Sequence, residues 1–400
     1  MDLVRASSLL RSDERGASRS AREYLKQMSL RICLSATTID YPRGGGHQWV
    51  YLNWALGLRA LGCKVVWLEV VDGQRPATET EMFVTALKER LEHYGLADCL
   101  ALCSEIQGVP SEASAGCLDL DLAPEVDLLL NLSHDLPTKV VKRFRRSAFV
   151  DIDPGLLQIW VSQGQVGLAP HDLYFSIGET VGQPGAPFPD LGLEWHYTPP
   201  CVALDWWPPH PAAAEARFTT VAHWYAGGGT GEAAELDDKR AGFRPFLELP
   251  GRTTWPLELA LDIGSNTAEG VALRQRGWHV RDSYAVSSTP WDYQRYIQGS
   301  RGEFSCVKPA CVRLQNAWVS DRTLCYLASG KPAVVQHTGP SRILPDAAGL
   351  FRFRDVQEAA CCLDQVAADY ERQCRLARAL AEEYFDARTV VGRVLEQALA

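Results

Sequence analysis

The sequence lacks several features that would place it in a specialised class of proteins. No apolar run approaches the ~18–20 residues that a membrane-spanning helix needs. Basic residues are outnumbered, with 40 Lys and Arg against 49 Asp and Glu and a net charge of −9, so a dedicated nucleic-acid-binding protein is not expected. No repeat at the period of solenoid proteins is visible. The remaining composition, 46% hydrophobic and 22% charged, is typical of a globular enzyme.

Signals for metal binding and secretion are also missing. The twelve cysteines include no Cys-x-x-Cys, and no histidines accompany the closest cysteine pairs, although structural zinc sites usually have both. Cys33 and Cys325 stand among apolar residues, where a thiol behaves as a small hydrophobic group. No secretory apolar segment is present either, so the sequence predicts a reducing, cytoplasmic location and no metal site.

Segments with the pattern of strands and helices alternate along most of the chain. Lys64–Val71 is apolar and β-branched, which is typical of a buried parallel strand. Around His210 three prolines restrict the backbone, which indicates a linker, and the alternation then starts again. We therefore predict an α/β protein with two tandem, doubly wound Rossmann-like domains. The predicted units are a flexible extension at 1–27, a first domain at 28–204, a linker at 205–215, a second domain at 216–386 and a terminal helix at 387–400.

The strongest local motif begins at Ala317 and predicts a helix followed by a buried strand. Ser320 fits the N-cap, Asp321 and Arg322 fit the first turn, and Gly330 fits the end of the helix. The N-terminus of a helix binds phosphate through unpaired N–H groups and its dipole, and an arginine there adds a bidentate contact. A capped core helix without a ligand is the alternative.

This motif carries a resemblance to a known family. The segment 318–335, with its Ala328-Ser-Gly-Lys-Pro-Ala-Val-Val, resembles the C-terminal half of GT-B fold glycosyltransferases of the "group 1" type, near their spore-protein-like branch. The segment 35–69 resembles the first βαβ unit of that fold. The resemblance implies a nucleotide-sugar donor whose diphosphate lies at the helix start, and a last helix that crosses back to the first domain. It also implies catalysis without an essential metal or cofactor.

Two positions depart from the pattern of the family. Many group 1 enzymes hold the nucleotide ribose with a glutamate five residues before the motif glycine, where this chain has Cys325. A second glutamate of the family stands seven positions earlier, where this chain has Trp318. Because a thiol is a weak hydrogen-bond acceptor, ribose recognition is expected to move, with Glu303 as the candidate.

The glycine-rich turn before the first predicted helix is a further candidate contact for the donor. Gly45 and Gly46 have no Cβ, so a phosphate or a sugar can approach the backbone closely. The turn is not Gly-x-Gly-x-x-Gly, and Glu69 is the only acid placed to hold the ribose of a nicotinamide dinucleotide. His47 follows the turn and is a candidate acceptor contact, with a helix-capping histidine as the alternative.

Acidic and histidine side chains follow the predicted strands of the first domain. Asp153 is a candidate general base, with a turn-forming Asp-Pro-Gly as the alternative. His134 is a second candidate base, and Glu179 is a candidate acceptor contact. The complete set predicted to bind the donor is Gly45, Gly46, Glu303, Ser320, Asp321, Arg322, Gln336, Thr338 and Gly339.

These observations predict a cytoplasmic hexosyltransferase. It would move a sugar from a nucleotide-diphosphate donor to a hydroxyl or amine of a small-molecule acceptor, with no nucleic-acid partner. Two alternatives stay open: a nucleotide-sugar epimerase or hydrolase of the same fold, and a degenerate, glycosyltransferase-like binding or scaffold protein. The substitutions at Trp318 and Cys325 are what favour the scaffold.

Overall fold

The structure is a computed structural model, and it describes residues 30–104, 114, 116–225, 238–264 and 266–400. The predicted extension at 1–27 lies outside these residues. Two parallel β-sheets form the framework, as the alternating pattern predicts. The first contains seven strands: β1 Arg31–Ala36, β2 Lys64–Val71, β3 Leu100–Ser104, β4 Leu128–Asn131, β5 Ser147–Asp151, β6 Leu173–Ser176 and β7 Trp195–Tyr197. The second contains six strands: β8 Phe218–His223, β9 Leu257–Asp262, β10 His279–Asp282, β11 Gly302–Ser305, β12 Ala333–Gln336 and β13 Leu350–Phe353.

Helices connect these strands. Those associated with the first sheet are α1 Gly45–Ala60, α2 Ala77–Glu92, α3 Thr138–Val141 and α4 Leu156–Ser162. Those of the second half are α5 Lys239–Phe243, α6 Thr267–Gln275, α7 Tyr284–Ser287, α8 Pro290–Gly299, α9 Pro309–Leu314 and α10 Asp321–Ala328. The chain ends with α11 Val356–Ala368, α12 Tyr370–Tyr384 and α13 Ala387–Leu399. In the described part of the chain, no helix is both long and apolar enough to cross a membrane.

Both sheets have the strand order of a doubly wound fold. The first is ordered β3-β2-β1-β4-β5-β6-β7 and the second β10-β9-β8-β11-β12-β13, with every strand pair parallel. The predicted fold class, two tandem Rossmann-like units, is therefore confirmed. In such sheets the order reverses between two central strands, and ligands bind beyond their carboxyl ends. Those reversals lie between β1 and β4 and between β8 and β11.

Direct contacts join the two halves on either side of the cleft between them. The indole of Trp49 in α1 donates a hydrogen bond to the carbonyl oxygen of Pro290 at 2.8 Å. At the other side Glu179 is buried, and its carboxylate accepts hydrogen bonds from the Ser341 hydroxyl and from the Arg342 amide at 2.8 Å. The last helix, α13, packs against α1. These contacts hold the carboxyl ends of the two sheets beside a common cleft.

Candidate functional site

The first of two neighbouring cavities opens at the strand-order reversal of the first sheet. It encloses about 180 Å³. Thr37 follows β1, His134 follows β4 and Asp153 follows β5, and all three line it. The other lining residues are Tyr41, His47, Tyr51, Leu132, Ser133, Asp135, Phe149, Asp151, Ile152 and Leu157. The structure thus brings together both predicted bases and His47 in one cavity.

A buried carboxylate holds the loop that follows β1. Glu69 accepts hydrogen bonds from the amides of Thr38 at 2.8 Å and Ile39 at 3.2 Å, from the Trp67 indole at 2.8 Å and from the Thr38 hydroxyl. Burial raises the pKa of this carboxyl. Because Glu69 is fully enclosed by these partners, it has no exposed oxygen with which to hold the ribose of a dinucleotide.

His134 and Asp153 differ in how they are held. The Nδ1 atom of His134 lies 2.7 Å from Oδ1 of Asp135, and this hydrogen bond raises the pKa of the imidazole. Asp153 is exposed and begins the turn after β5. Its amide donates to the buried Asp151 carboxylate at 2.9 Å, which also accepts from Gln158 at 2.9 Å and Ser176 at 2.8 Å. Asp151 therefore fixes the turn, and Asp153 presents its carboxylate to the cavity.

The second cavity adjoins the first and lies between the two halves of the chain. It encloses about 300 Å³ and shares Tyr41 and His47 with the smaller cavity. The first domain contributes the turn from Arg43 to Gly46. The second domain contributes Val221, Ala222 and His223 at the end of β8, the segment around Tyr284, and Ser320, Asp321 and Arg322 at the start of α10.

The N-terminus of α10 faces the larger cavity without a side-chain cap. Ser320 occupies the N-cap position, but its hydroxyl makes no capping hydrogen bond to the helix. The first-turn N–H groups of a helix have no partner within the helix, so this end of α10 offers donors and the positive end of a dipole. Asp321 stands in the same turn and is half-buried; burial, with a smaller contribution from the charge of Asp153, raises the pKa of its carboxyl to about 6.

Arg322 is held inside the protein by three acceptors. Its guanidinium donates to the Glu303 carboxylate at 2.8 Å, to the Val221 carbonyl oxygen at 3.0 Å and to the Ser305 hydroxyl. Glu303 is completely buried. A ribose contact by Glu303, as predicted from the sequence, would therefore require the side chains that enclose this carboxylate to move. If Arg322 contacts a phosphate, it would do so through the guanidinium N–H groups that do not donate to these three acceptors.

The glycines of the turn allow the two domains to touch. A Cβ on Gly45 would lie 2.2 Å from the carbonyl oxygen of Thr289, and one on Gly46 would lie 2.7 Å from the Tyr293 ring. Real Cβ atoms do not approach other atoms so closely, which means that α1 begins against the second domain only because these positions lack side chains. Both glycines also line the larger cavity, so the predicted donor contact is compatible with this packing role.

The remaining residues predicted to bind the sugar donor hold a neighbouring loop in place. The Gln336 side-chain oxygen accepts from the Val307 amide at 3.0 Å, and the Thr338 hydroxyl donates to the Trp318 carbonyl oxygen at 2.7 Å. Gly339, with φ of +127°, lies against the backbone of Gln315. None of these three predicted residues lines either cavity. The structure also places Glu179 outside both cavities, in the contact between domains described above.

Two residues beside the glycine turn are part of the site although the sequence analysis did not select them. Tyr41 lies at the opening shared by the two cavities. The Arg43 guanidinium lies over the ring of Tyr284, 3.7 Å from its centroid, so a cation from the first domain meets an aromatic ring of the second. Their signal in the sequence is the Tyr-Pro-Arg that directly precedes the glycines. Within the described residues, no group of three or more His, Cys, Asp or Glu side chains could hold a metal ion.

No protein-family model matches the sequence, and no curated protein matches it significantly. Solved structures do share its fold. HepE from Anabaena, solved with UDP and glucose, is 13% identical with a TM-score of 0.53, and the match covers 92% of this chain and 99% of HepE. Sucrose-phosphate synthase from Thermosynechococcus elongatus is 12% identical with a TM-score of 0.51, covering 92% and 98%. An alpha-glucosyltransferase solved with UDP and a 13-mer DNA is 11% identical with a TM-score of 0.58, covering 93% and 100%.

At these identities the similarity concerns the fold. The fold that the family resemblance implies is confirmed, whereas the group 1 type and its spore-protein-like branch stay predictions. With its two parallel sheets and the cleft between them, the chain has the two-domain α/β fold of GT-B glycosyltransferases.

Proposed function

We propose that this protein is a glycosyltransferase that takes a sugar from a nucleoside-diphosphate donor bound in the larger cavity. The observation that carries the proposal is the uncapped N-terminus of α10, which faces a cavity of about 300 Å³ between two Rossmann-like sheets. HepE and the alpha-glucosyltransferase, which share the fold, were both solved with UDP. Arg43 adds a positive charge from the opposite domain. These groups would hold the diphosphate and stabilise its charge as it leaves.

The smaller cavity would hold the acceptor, a small molecule with a free hydroxyl. In the transfer, the acceptor oxygen bonds to the anomeric carbon, the bond from that carbon to the β-phosphate oxygen breaks, and the diphosphate leaves with the electron pair. The hydroxyl proton passes to a base of the first domain. Asp153 is our choice because its carboxylate is exposed in the cavity, and His134 is the second candidate. We further propose that the protein is a cytoplasmic hexosyltransferase that needs neither a metal nor a cofactor.

Binding of nucleoside diphosphates tests this proposal directly. We expect one of UDP, GDP, ADP or dTDP to bind and to raise the melting temperature, as any ligand that prefers the native state does. Arg43→Ala should weaken that binding about tenfold, because it removes a cation from the cavity. The matched control is Arg295→Ala, since Arg295 is 76% exposed and lies outside the cavity. Titration calorimetry measures both variants, and binding by none of the four nucleotides would refute the proposal.

The carboxyl of Asp321 should make donor binding depend on pH. Because its pKa is raised to about 6, this group is neutral below that value and ionised above it. An ionised Asp321 repels the diphosphate, so affinity for a UDP-sugar should fall about fivefold, or ~1 kcal/mol, between pH 5 and pH 7.5. Asp321→Asn should remove that fall and keep the higher affinity throughout. Titrations of the two proteins across this range measure the effect, and identical pH profiles would contradict it.

A further inference from the structure

The smaller cavity is lined by both apolar and polar side chains. The apolar ones are Leu132, Phe149, Ile152 and Leu157. The polar ones carry hydroxyl, imidazole and carboxylate groups and are Thr37, Ser133, His134, Asp135 and Asp153. A purely aromatic or aliphatic ligand would take these polar groups out of water without offering them a hydrogen bond, which costs free energy. A ring with apolar faces and hydroxyls around its edge satisfies both kinds of lining residue.

An exposed aromatic ring stands at the opening of this cavity. Tyr41 is 47% exposed, although large apolar rings are usually buried, and it lines both cavities. Its position is fixed by a tight turn, in which its amide donates to the Thr38 carbonyl oxygen at 3.0 Å and its carbonyl accepts from the Gly44 amide at 2.9 Å. On one side the ring packs against His47, with centroids 4.4 Å apart. The rest of the ring is available to a ligand.

The dimensions of the cavity limit what it can admit. Its volume of about 180 Å³ corresponds to about six water molecules, which is room for one six-membered ring and not for a fused polycycle. The buried Tyr51 also lines the cavity, together with Leu132 and Ile152, which directly follow β4 and β5. A longer acceptor would therefore place one terminal ring in this volume and leave the remainder outside it, past Tyr41 at the shared opening.

Resting on the proposed glycosyltransferase function, we propose that the acceptor presents a terminal six-membered, polyhydroxylated ring to the smaller cavity. One apolar face of the ring stacks on Tyr41, and the hydroxyl that receives the sugar points to Asp153. Such a ring belongs to a pyranose or to a cyclitol. The polar side chains of the cavity then select a carbohydrate-like acceptor over an aromatic one, and Tyr41 positions its ring.

Saturation-transfer NMR on the intact protein tests this proposal. The probes are the methyl glycosides of glucose, galactose and mannose, myo-inositol, and 4-methylphenol as an aromatic acceptor with a single ring, each added with and without UDP. We expect at least one glycoside or myo-inositol to bind with UDP present, and 4-methylphenol not to compete with it. Comparing the binding of the glycosides with that of myo-inositol shows whether the cavity takes a pyranose or a cyclitol.

Variants of Tyr41 give the decisive comparison. Tyr41→Leu should weaken ring binding about five- to tenfold, because an aliphatic side chain covers area without a flat ring. Tyr41→Phe should bind as the wild type does, and Met82→Ala, at an exposed position outside both cavities, serves as the control. Equal binding by Tyr41→Leu, preferential binding of 4-methylphenol, or displacement of the ring by UDP-glucose would overturn the inference.

The nucleotide titrations separate this inference from the proposed function. If UDP, GDP, ADP and dTDP all fail to bind, the glycosyltransferase proposal fails and the inference fails with it. If a nucleotide binds and loses affinity in Arg43→Ala, but no ring compound binds, the donor site stands and the acceptor class is wrong.

Discussion

Replacing Arg322 with methionine is expected to destabilise the protein by about 3–5 kcal/mol. The reason is the Glu303 carboxylate, which is completely buried and pairs with the guanidinium at 2.8 Å. Within the described residues its second oxygen has no hydrogen-bond partner, so the arginine supplies most of its compensation. Removing the cation leaves a negative charge in a site that water does not reach, which is far costlier than losing an exposed pair.

Urea unfolding followed by circular dichroism measures this loss. Arg276→Met is the control, because Arg276 and Glu248 form an ion pair at 3.0 Å on the surface, where such pairs contribute about 0–1 kcal/mol. The double variant Arg322→Met with Glu303→Leu should recover much of the stability, since it removes both charges together. A loss in Arg322→Met no larger than in Arg276→Met would show that the pair is not enclosed. A loss in the double variant as large as in Arg322→Met would attribute the effect to packing.

The framework was predictable because its signals are local. The run Lys64–Val71 is apolar apart from Lys64 and Glu69, as is typical of a strand covered on both faces, and the structure places β2 there with only Lys64 exposed. Helix α10 begins after Ser320 and ends before Gly330, at the cap residues that predict its bounds. Strands and helices with such signals alternate before the linker and again after it, and this pattern determines the fold class. The carboxyl ends of parallel strands then determine where Asp153 and His134 must lie.

Other elements depend on partners that are distant in sequence. Strand β10 is an exposed edge strand, so it carries no apolar pattern. Strand β11 is buried but contains Glu303, whose charge is tolerated only because Arg322 reaches it from 19 positions away. Tertiary pairing overrides local pattern in such strands. Neither strand was predicted for that reason.

The same limit applies to the candidate site. Sequence alone did not separate residues that face a cavity from residues that hold a loop beside it. Thr338 satisfies the carbonyl oxygen of Trp318, and Gly45 gives room to Thr289, and both partners are known only from the folded chain. Tyr41 was missed because an exposed tyrosine in a loop belongs to no periodic pattern. Its importance follows from the two cavities that meet beside it.

Replacing Asp153 with asparagine should reduce turnover by about 10²- to 10⁴-fold, the usual contribution of a general base. Asparagine keeps the shape of the side chain but accepts no proton at neutral pH. Donor binding should change little, because Asp153 lines the smaller cavity and not the larger one. The assay is release of the nucleoside diphosphate from a UDP-sugar or from the donor that the binding screen selects, with a ring acceptor present. Asp98→Asn is the control, since Asp98 is exposed just before β3, at the opposite end of the same sheet.

The pH profile distinguishes Asp153 from His134 as the base. A histidine acts as a base only when neutral, and the hydrogen bond that His134 donates to the Asp135 carboxylate raises the pKa of the imidazole above its ordinary value. If His134 is the base, turnover falls as the pH drops through that raised value. His134→Gln then removes most of the activity, and the fall in turnover at low pH disappears with it. If Asp153 is the base, activity persists below that value, and the large loss occurs in Asp153→Asn while His134→Gln keeps most of its rate. Full activity in both variants would exclude Asp153 and His134 as the base and would direct attention to the other proton acceptors that line the two cavities, His47 and Asp321.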